Sequence, residues 1–282
     1  MSDVFIAIVL GVIEGLTEFL PVSSTGHMIL AGALLNFSGE RAETFEIVIQ
    51  LGAIVAVAGL YRARFAELVK PRHWLPPSWL PPRWHSADDP AAPMLTLAHV
   101  ALACIPAFVL GAAFHGVIKR NLFTEQTVLI GLIAGGALMI IAEFISGRRH
   151  EPPTTSLDAI TPVQAGIAGA VQCLALWPGF SRSGSMIAGG MLARLDRRTA
   201  ADFSFLVAVP VMLAATGFDL VKSWHLVTLA FAEVVAVGFV VAFAVAWLAV
   251  AAFLRVLGTI GLTPFAMYRF VLAAVYALIV LR

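Results

Sequence analysis

Residues 11–30, GVIEGLTEFLPVSSTGHMIL, decide the fold. They read as a membrane helix broken at its centre. The apolar run around them extends from about 4 to 35 and is interrupted by TEFLPVSSTGH at 17–27. Pro21 stops the first helix, and Ser23, Ser24 or Thr25 can cap the next. Neither half reaches the roughly 20 residues that a spanning helix needs. The simplest reading is a helical hairpin that enters the membrane and turns back. Irregular backbone at that depth is tolerated only where protein or a water-filled cavity surrounds it.

A second run behaves the same way. Residues 161–193 are interrupted at 177–185 by WPGFSRSGS, where Pro178 and Gly179 stop one helix and Ser181 or Ser183 can cap the next. Six further stretches are long and apolar enough to span: about 45–62, 93–115, 126–147, 200–221, 227–254 and 261–281. The expected fold is therefore an all-α polytopic membrane protein with six transmembrane helices and two re-entrant helical hairpins. An offset of 157 sets Pro21 on Pro178 and Ser24 on Ser181, and an offset of 158 sets Phe45 on Phe203. One integral domain, 1–282, is then expected to consist of two repeat halves, 1–147 and 158–282. One hairpin plus three spans per half makes the second half inverted. Paired broken helices in inverted halves point to a binding site near the midplane.

Composition agrees. Of 282 residues, 60% are hydrophobic and only 12% charged, where soluble domains carry roughly 25%. Mean hydropathy is +0.92. A net charge of +1 gives no footprint for nucleic acid. Cys104 and Cys173 form neither a disulfide framework nor a metal-ligand spacing. The opening MSDVF has no basic n-region, so no cleaved signal peptide is expected. Eleven of the 18 lysines and arginines fall in the loops around 62–92, 147–160, 194–199 and 255–260, which share one side. The positive-inside rule makes that side cytoplasmic. The loop 62–92, rich in proline and tryptophan, is expected to be interfacial.

Chemistry concentrates at the two breaks. Glu14 and Glu18, four apart, share a helix face. Bare carboxylates in lipid are costly, so a cation, a proton or a basic group must sit between them. Each break offers free N–H groups and a positive helix end, a ready anion site. Arg182 adds a planar fork that matches phosphate oxygens. The hydroxyls of Ser23, Thr25, Ser181, Ser183 and Ser185 are candidate phosphate contacts. A polyanionic head group in apolar surroundings describes a phosphorylated lipid. For hydrolysis, Arg182 and the N–H groups would stabilise the transferring phosphoryl. Ser24 or His27 would attack, or His27 would activate water or protonate the leaving oxygen. The glutamates would hold a cation or orient the nucleophile. The alternative is a transporter or flippase for the lipid monophosphate, which has no evident use for a nucleophile. Arg269, within FAMYRF, is expected to be structural, and His99 to be a core residue.

EGLTEFLPVSSTGH and LWPGFSRSG resemble the two signatures of the undecaprenyl-diphosphate phosphatase family, the bacitracin-resistance proteins. TFEIVIQLG, GGML, FSFLVAVP and PFAMYRF are also similar to family segments, so the resemblance covers most of the chain. It implies removal of the terminal phosphate from undecaprenyl diphosphate, recycling the carrier for peptidoglycan synthesis and conferring bacitracin resistance. It also implies a multi-pass protein of the bacterial inner membrane, a site opening to the extracytoplasmic side, and dependence on a divalent cation, Mg2+ or Ca2+, for which Glu14 and Glu18 are the candidate ligands on their own chemistry. A homodimer is the candidate assembly. The family's functional positions fall on Glu14, Glu18, Ser24, His27, Ser181 and Arg182. One departure is Ser185–Met186, where the family usually reads alanine then threonine. That moves the hydroxyl by about 100° around a helix.

Overall fold

A computed structural model describes residues 2–75, 94–223 and 229–281. Among these residues the chain is helical, with one isolated bridge, Thr154 to Leu195, and no strand. The six long apolar helices are α3 (Glu40–Leu60), α5 (Leu97–Leu122), α6 (Glu125–Gly147), α9 (Arg197–Ser223), α10 (Leu229–Ile260) and α11 (Thr263–Val280). Each holds a segment long and apolar enough to cross a bilayer, which makes this a multi-pass membrane protein. The interfacial segment expected within 62–92 lies largely outside the described residues. Its near end forms α4 (Arg62–Leu68) and a short 3-10 turn, Pro71–His73.

Both interrupted runs are broken helices. The first is α1 (Asp3–Thr17) and α2 (Ser24–Leu35). The second is α7 (Pro162–Gln172), a 3-10 turn Cys173–Leu176, and α8 (Arg182–Leu192). Thr161 and Gln164 close a capping box on α7, and Pro162 occupies its first turn, where a missing N–H costs nothing.

α10 runs along α1 and α3, and α3 also meets α9. α8 is the central helix, in contact with α6, α7 and α9, and every residue from Ser183 to Met191 is buried. α11 lies on α6, and α5 lies on α7. Close approach at two seams rests on small residues four apart. At Gly11 and Gly15 a Cβ would lie 2.8 Å from the Gly238 carbonyl and 2.7 Å from that of Ala242, so α1 presses backbone to backbone on α10. At Gly131 and Gly135 of α6 a Cβ would lie 2.3 Å from the carbonyls of Pro178 and Phe180. The second break is thus held against α6 itself. Phe144, Val240, Leu248 and Val271 remain exposed on the outer helix faces, where hydrocarbon would cover them.

Candidate active site

Ser23 and Ser181 build the two breaks in the same way. Each precedes a helix with a positive φ, 71° and 75°, uncommon for a residue with a side chain. The Oγ of Ser23 accepts from the Gly26 N–H at 3.4 Å, and that of Ser181 from the Gly184 N–H at 3.2 Å. Cap geometry therefore pairs Ser23 with Ser181 and Gly26 with Gly184, an offset of 158 rather than the 157 anchored on proline. The second turn has one more residue between proline and cap, Pro178-Gly179-Phe180-Ser181 against Pro21-Val22-Ser23. In this register Ser24 matches Arg182, so one helix starts with a hydroxyl and the other with a guanidinium.

The two starts share a cavity of about 190 Å³, room for several groups the size of water at about 30 Å³ each. Glu18, Ser23, Ser24, Thr25, Ser181 and Arg182 line it, along with Gln50 of α3, Trp177 and Met212. Ser24 Oγ donates to Glu18 Oε2 at 2.5 Å. The other oxygen of Glu18 meets the Arg182 guanidinium at 3.5 Å, with both side chains nearly buried. Arg182 also reaches the Ser204 carbonyl at 3.4 Å and lies over the Phe19 ring, 5.2 Å from its centroid. Its Nε is buried with no hydrogen-bond partner among the described residues. These contacts are long for a guanidinium, which usually binds at about 2.7–2.9 Å. The Arg182 fork is placed but not saturated. The first turns of α2 and α8, whose start residues line the cavity, leave N–H groups without intrahelical acceptors and put two positive helix ends beside it.

Other expected site residues lie elsewhere. Glu14 sits one turn before Glu18, buried, with Oε1 unpartnered among the described residues. Glu46 of α3 is near enough to act on it electrostatically. His27 does not line the cavity. Its Nδ1 lies 2.8 Å from the Ser23 carbonyl, which can only accept, so Nδ1 carries the proton. Nε2 then accepts from the Tyr268 hydroxyl of α11 at 2.8 Å, and the two rings stack at 5.6 Å. His27 thus ties the first break to α11. Ser183 and Ser185 are not among the residues that line the cavity, although the Ser183 hydroxyl lies 3.3 Å from that of Ser181. Ser183 donates to the Leu20 carbonyl and Ser185 to the Arg182 carbonyl, both at 3.0 Å. Met186, beside Ser185, is fully buried.

Glu14 and Glu18 lie close together and offer only oxygen ligands, the type a hard cation takes, although Glu14 is not among the residues lining the cavity. Among the described residues, no group of three or more His, Cys, Asp or Glu is arranged to hold a metal ion by itself.

Three further residues give the site its shape. Gln50 is a lone amide in an apolar span, which itself marks an interior polar role. Arg269 is fully buried and donates to four carbonyls: Gly131 at 3.1 Å, Leu132 at 3.1 Å, Gly179 at 2.8 Å and Phe180 at 2.9 Å. It fastens the second break to α6. Trp177 adds an indole N–H bond to the Thr127 carbonyl at 2.8 Å. A second cavity, about 250 Å³, contains none of the expected site residues.

Fold and site together define a polytopic membrane protein with a hydroxyl–carboxylate–guanidinium cluster between two helix breaks. The chain belongs to the bacitracin resistance protein BacA family, whose pattern it matches over residues 7–275. It is 50% identical over 281 residues to undecaprenyl-diphosphatase 1 of Bacillus thuringiensis (strain Al Hakam), covering 100% of both chains. It is equally similar, over the same length, to undecaprenyl-diphosphatase 1 of a Bacillus cereus strain.

Proposed function

We propose that this protein hydrolyses undecaprenyl diphosphate to undecaprenyl phosphate and inorganic phosphate, with Ser24 as nucleophile. The observation that carries this reading is the short Ser24–Glu18 hydrogen bond in a cavity shared with Arg182. A nucleophile bonded to its base, beside an unsaturated guanidinium and two helix starts, is what phosphoryl transfer requires. A carrier that only moved the lipid would need the anion grip but not the activated hydroxyl.

Ser24 Oγ attacks the terminal phosphorus while its proton passes to Glu18 Oε2. The bond to the bridging oxygen breaks, and undecaprenyl phosphate leaves with that oxygen and takes the proton from Glu18. Glu18 then accepts a proton from water as the water attacks phospho-Ser24. That proton returns to Ser24 Oγ as inorganic phosphate departs. Arg182 and the first-turn N–H groups neutralise charge on the transferring oxygens in both steps. Ser23 and Ser181 fix the two helix starts, Thr25 and Gln50 line the phosphate, and His27 holds the Ser23 carbonyl. A divalent cation, Mg2+ or Ca2+, bound by Glu14 and Glu18, would supply further charge neutralisation when present.

The reading extends to the cell. The two broken helices are re-entrant hairpins of an inverted repeat in the bacterial inner membrane, with the cavity opening to the extracytoplasmic side, and the assembly is a homodimer. Recycling the lipid carrier then serves peptidoglycan synthesis and lowers the target of bacitracin. The test is phosphate release from undecaprenyl diphosphate by purified protein, with and without chelator, beside Ser24→Ala and Arg182→Ala. Both variants should fold and lose release. Undiminished release by folded Ser24→Ala would overturn the nucleophile, and a wild type that binds the lipid but never releases phosphate would overturn the activity.

A further inference from the structure

The larger cavity, about 250 Å³, lies at the other end of α8 from the catalytic break. The 11 residues of α8 separate the two by about 16 Å at 1.5 Å per residue. It forms where α6 ends, α8 turns into α9 and α10 makes its last turns. We propose that this cavity is a second anion site that takes a terminal phosphate group, either inorganic phosphate or the monoester head group of a lipid such as phosphatidic acid.

Four arginines from three segments converge on it: Arg149, Arg194, Arg197 and Arg198. Two are built into the wall. Arg149 donates to the carbonyls of Met191 at 3.2 Å and Leu192 at 2.8 Å, closing the open end of α8. Arg197 pairs with Glu143 and reaches the Gly258 carbonyl at 3.4 Å, while its Nε is buried with no hydrogen-bond partner among the described residues. The other two are held loosely. Arg194 pairs with Glu151, but both side chains are substantially exposed, at 48% and 69%. Arg198 lies 3.9 Å from Asp202 and is 67% exposed. Exposed pairs of this kind contribute little and exchange partners readily.

The backbone also prepares the site. Arg194 holds a φ of 74°, a conformation that costs a residue with a side chain. It is kept there because its carbonyl accepts from the Thr154 N–H at 2.8 Å and the Leu195 N–H bonds the Gly190 carbonyl at 2.9 Å. Two carboxylates in the lining, Glu151 and Asp196, oppose the arginines. Asp196 is occupied in capping α9, where it accepts from the Thr199 N–H at 2.8 Å. Glu151 is therefore the group that an incoming anion displaces. Guanidinium forks match phosphate oxygens two at a time, which favours a phosphate over a single carboxylate. Met191, Leu195 and Pro153 give the cavity an apolar wall along which an alkyl tail can lie.

The test uses full-length protein carrying Arg182→Ala, which removes the phosphate grip of the catalytic cavity. Inorganic phosphate is titrated in by calorimetry. Phosphatidic acid and phosphatidylcholine are compared by native mass spectrometry of the detergent-solubilised protein. The site predicts that Arg182→Ala protein still binds a phosphate-bearing probe, and that adding Arg194→Gln and Arg198→Gln weakens this about tenfold or more. Titration by inorganic phosphate identifies the free anion as the source, and retention of phosphatidic acid alone identifies the head group. The single Arg198→Gln, at an exposed position, gives the same direction if the double substitution harms folding. Failure of Arg182→Ala protein to bind either probe, or binding that the arginine substitutions leave unchanged, would overturn the proposal. Phosphate release by protein with native Arg182 and both glutamines should match wild type, so this site and the catalytic reading fail separately.

Discussion

Arg269 offers the sharpest test of how the site is held. It is fully buried, and its guanidinium spends its donors on the backbone of α6 and of the second break. Arg269→Met keeps most of the volume and removes every donor. The carbonyls of Gly131 and Leu132 lie inside α6 and keep their helical partners. Those of Gly179 and Phe180 belong to the turn and lose the Arg269 bonds. A buried carbonyl without a partner costs about 1–3 kcal/mol, so the turn loses about 2–6 kcal/mol. Because Ser181 and Arg182 follow directly, the substitution also displaces the phosphate grip. A shift of about 1 Å at a reacting group can cost about 10²-fold in rate. The assay is unfolding in detergent, together with phosphate release normalised to folded protein. Arg269→Lys, with three donors on a flexible stem, should fall between wild type and Arg269→Met. An Arg269→Met protein with wild-type stability and turnover would refute the clamp.

Other expectations can be checked with the same preparations. Gly135→Ala places a Cβ 2.3 Å from the Phe180 carbonyl and 2.4 Å from an Arg269 nitrogen, so it should destabilise by roughly 1–3 kcal/mol and lower turnover, measured as for Arg269. His27→Ala should reduce phosphate release about 10²-fold, as expected when a group that positions the site is lost. Ser24→Ala, losing the nucleophile, should cost on the order of 10⁴-fold or more; equal losses would contradict the division of roles. Tyr268→Phe leaves His27 Nε2 without its donor and should lower release less than His27→Ala does, as steady-state rates will show. Asp158 lies in the loop before α7. Burial raises its carboxyl, but two Arg64 hydrogen bonds, the Leu95 N–H and the Arg64 charge bring it below its usual value. A lowered folded value means that the stabilisation is present above the unfolded value of about 3.9 and is lost as pH falls through the folded one. The group is about a third exposed, so Asp158→Asn should cost about 1 kcal/mol or less at neutral pH, with the difference shrinking as pH falls below the usual carboxylate range.

The elements were easy to read because the bilayer imposes a length and a polarity on every span. All six long apolar helices appear where the sequence puts them, and both further runs are broken there too: α1 ends at Thr17, before Pro21, and the second run ends its 3-10 turn at Leu176, before Pro178. The residues of the site were also legible, since polar groups in an apolar run stand out. Their mutual arrangement was not. Ser24, Thr25 and His27 lie within one turn, yet two face the cavity and the third faces Tyr268 of α11, 241 residues away. Which face a side chain takes depends on the rotation of α2, fixed by the positive φ at Ser23, and no local pattern reports that torsion. The extra residue in the second turn hid the match between Ser23 and Ser181 for the same reason. Composition makes Ser183 and Ser185 candidate phosphate contacts, while the carbonyls their hydroxyls meet, Leu20 on the other break and Arg182 on their own helix, could not be read from the sequence. Arg269 could be recognised as an interior arginine, while its four acceptors come from segments about 90 to 138 residues distant.

The central claim is that Ser24 carries the phosphoryl group. The most direct measurement follows wild-type protein given undecaprenyl diphosphate labelled in its terminal phosphate, quenched within a turnover in acid and, in parallel, in base. The account predicts label on the peptide containing Ser24, stable in acid, and absent from Ser24→Ala protein. Label that survives only in base and maps to His27 would contradict it, as would phosphate release at full rate from Ser24→Ala protein.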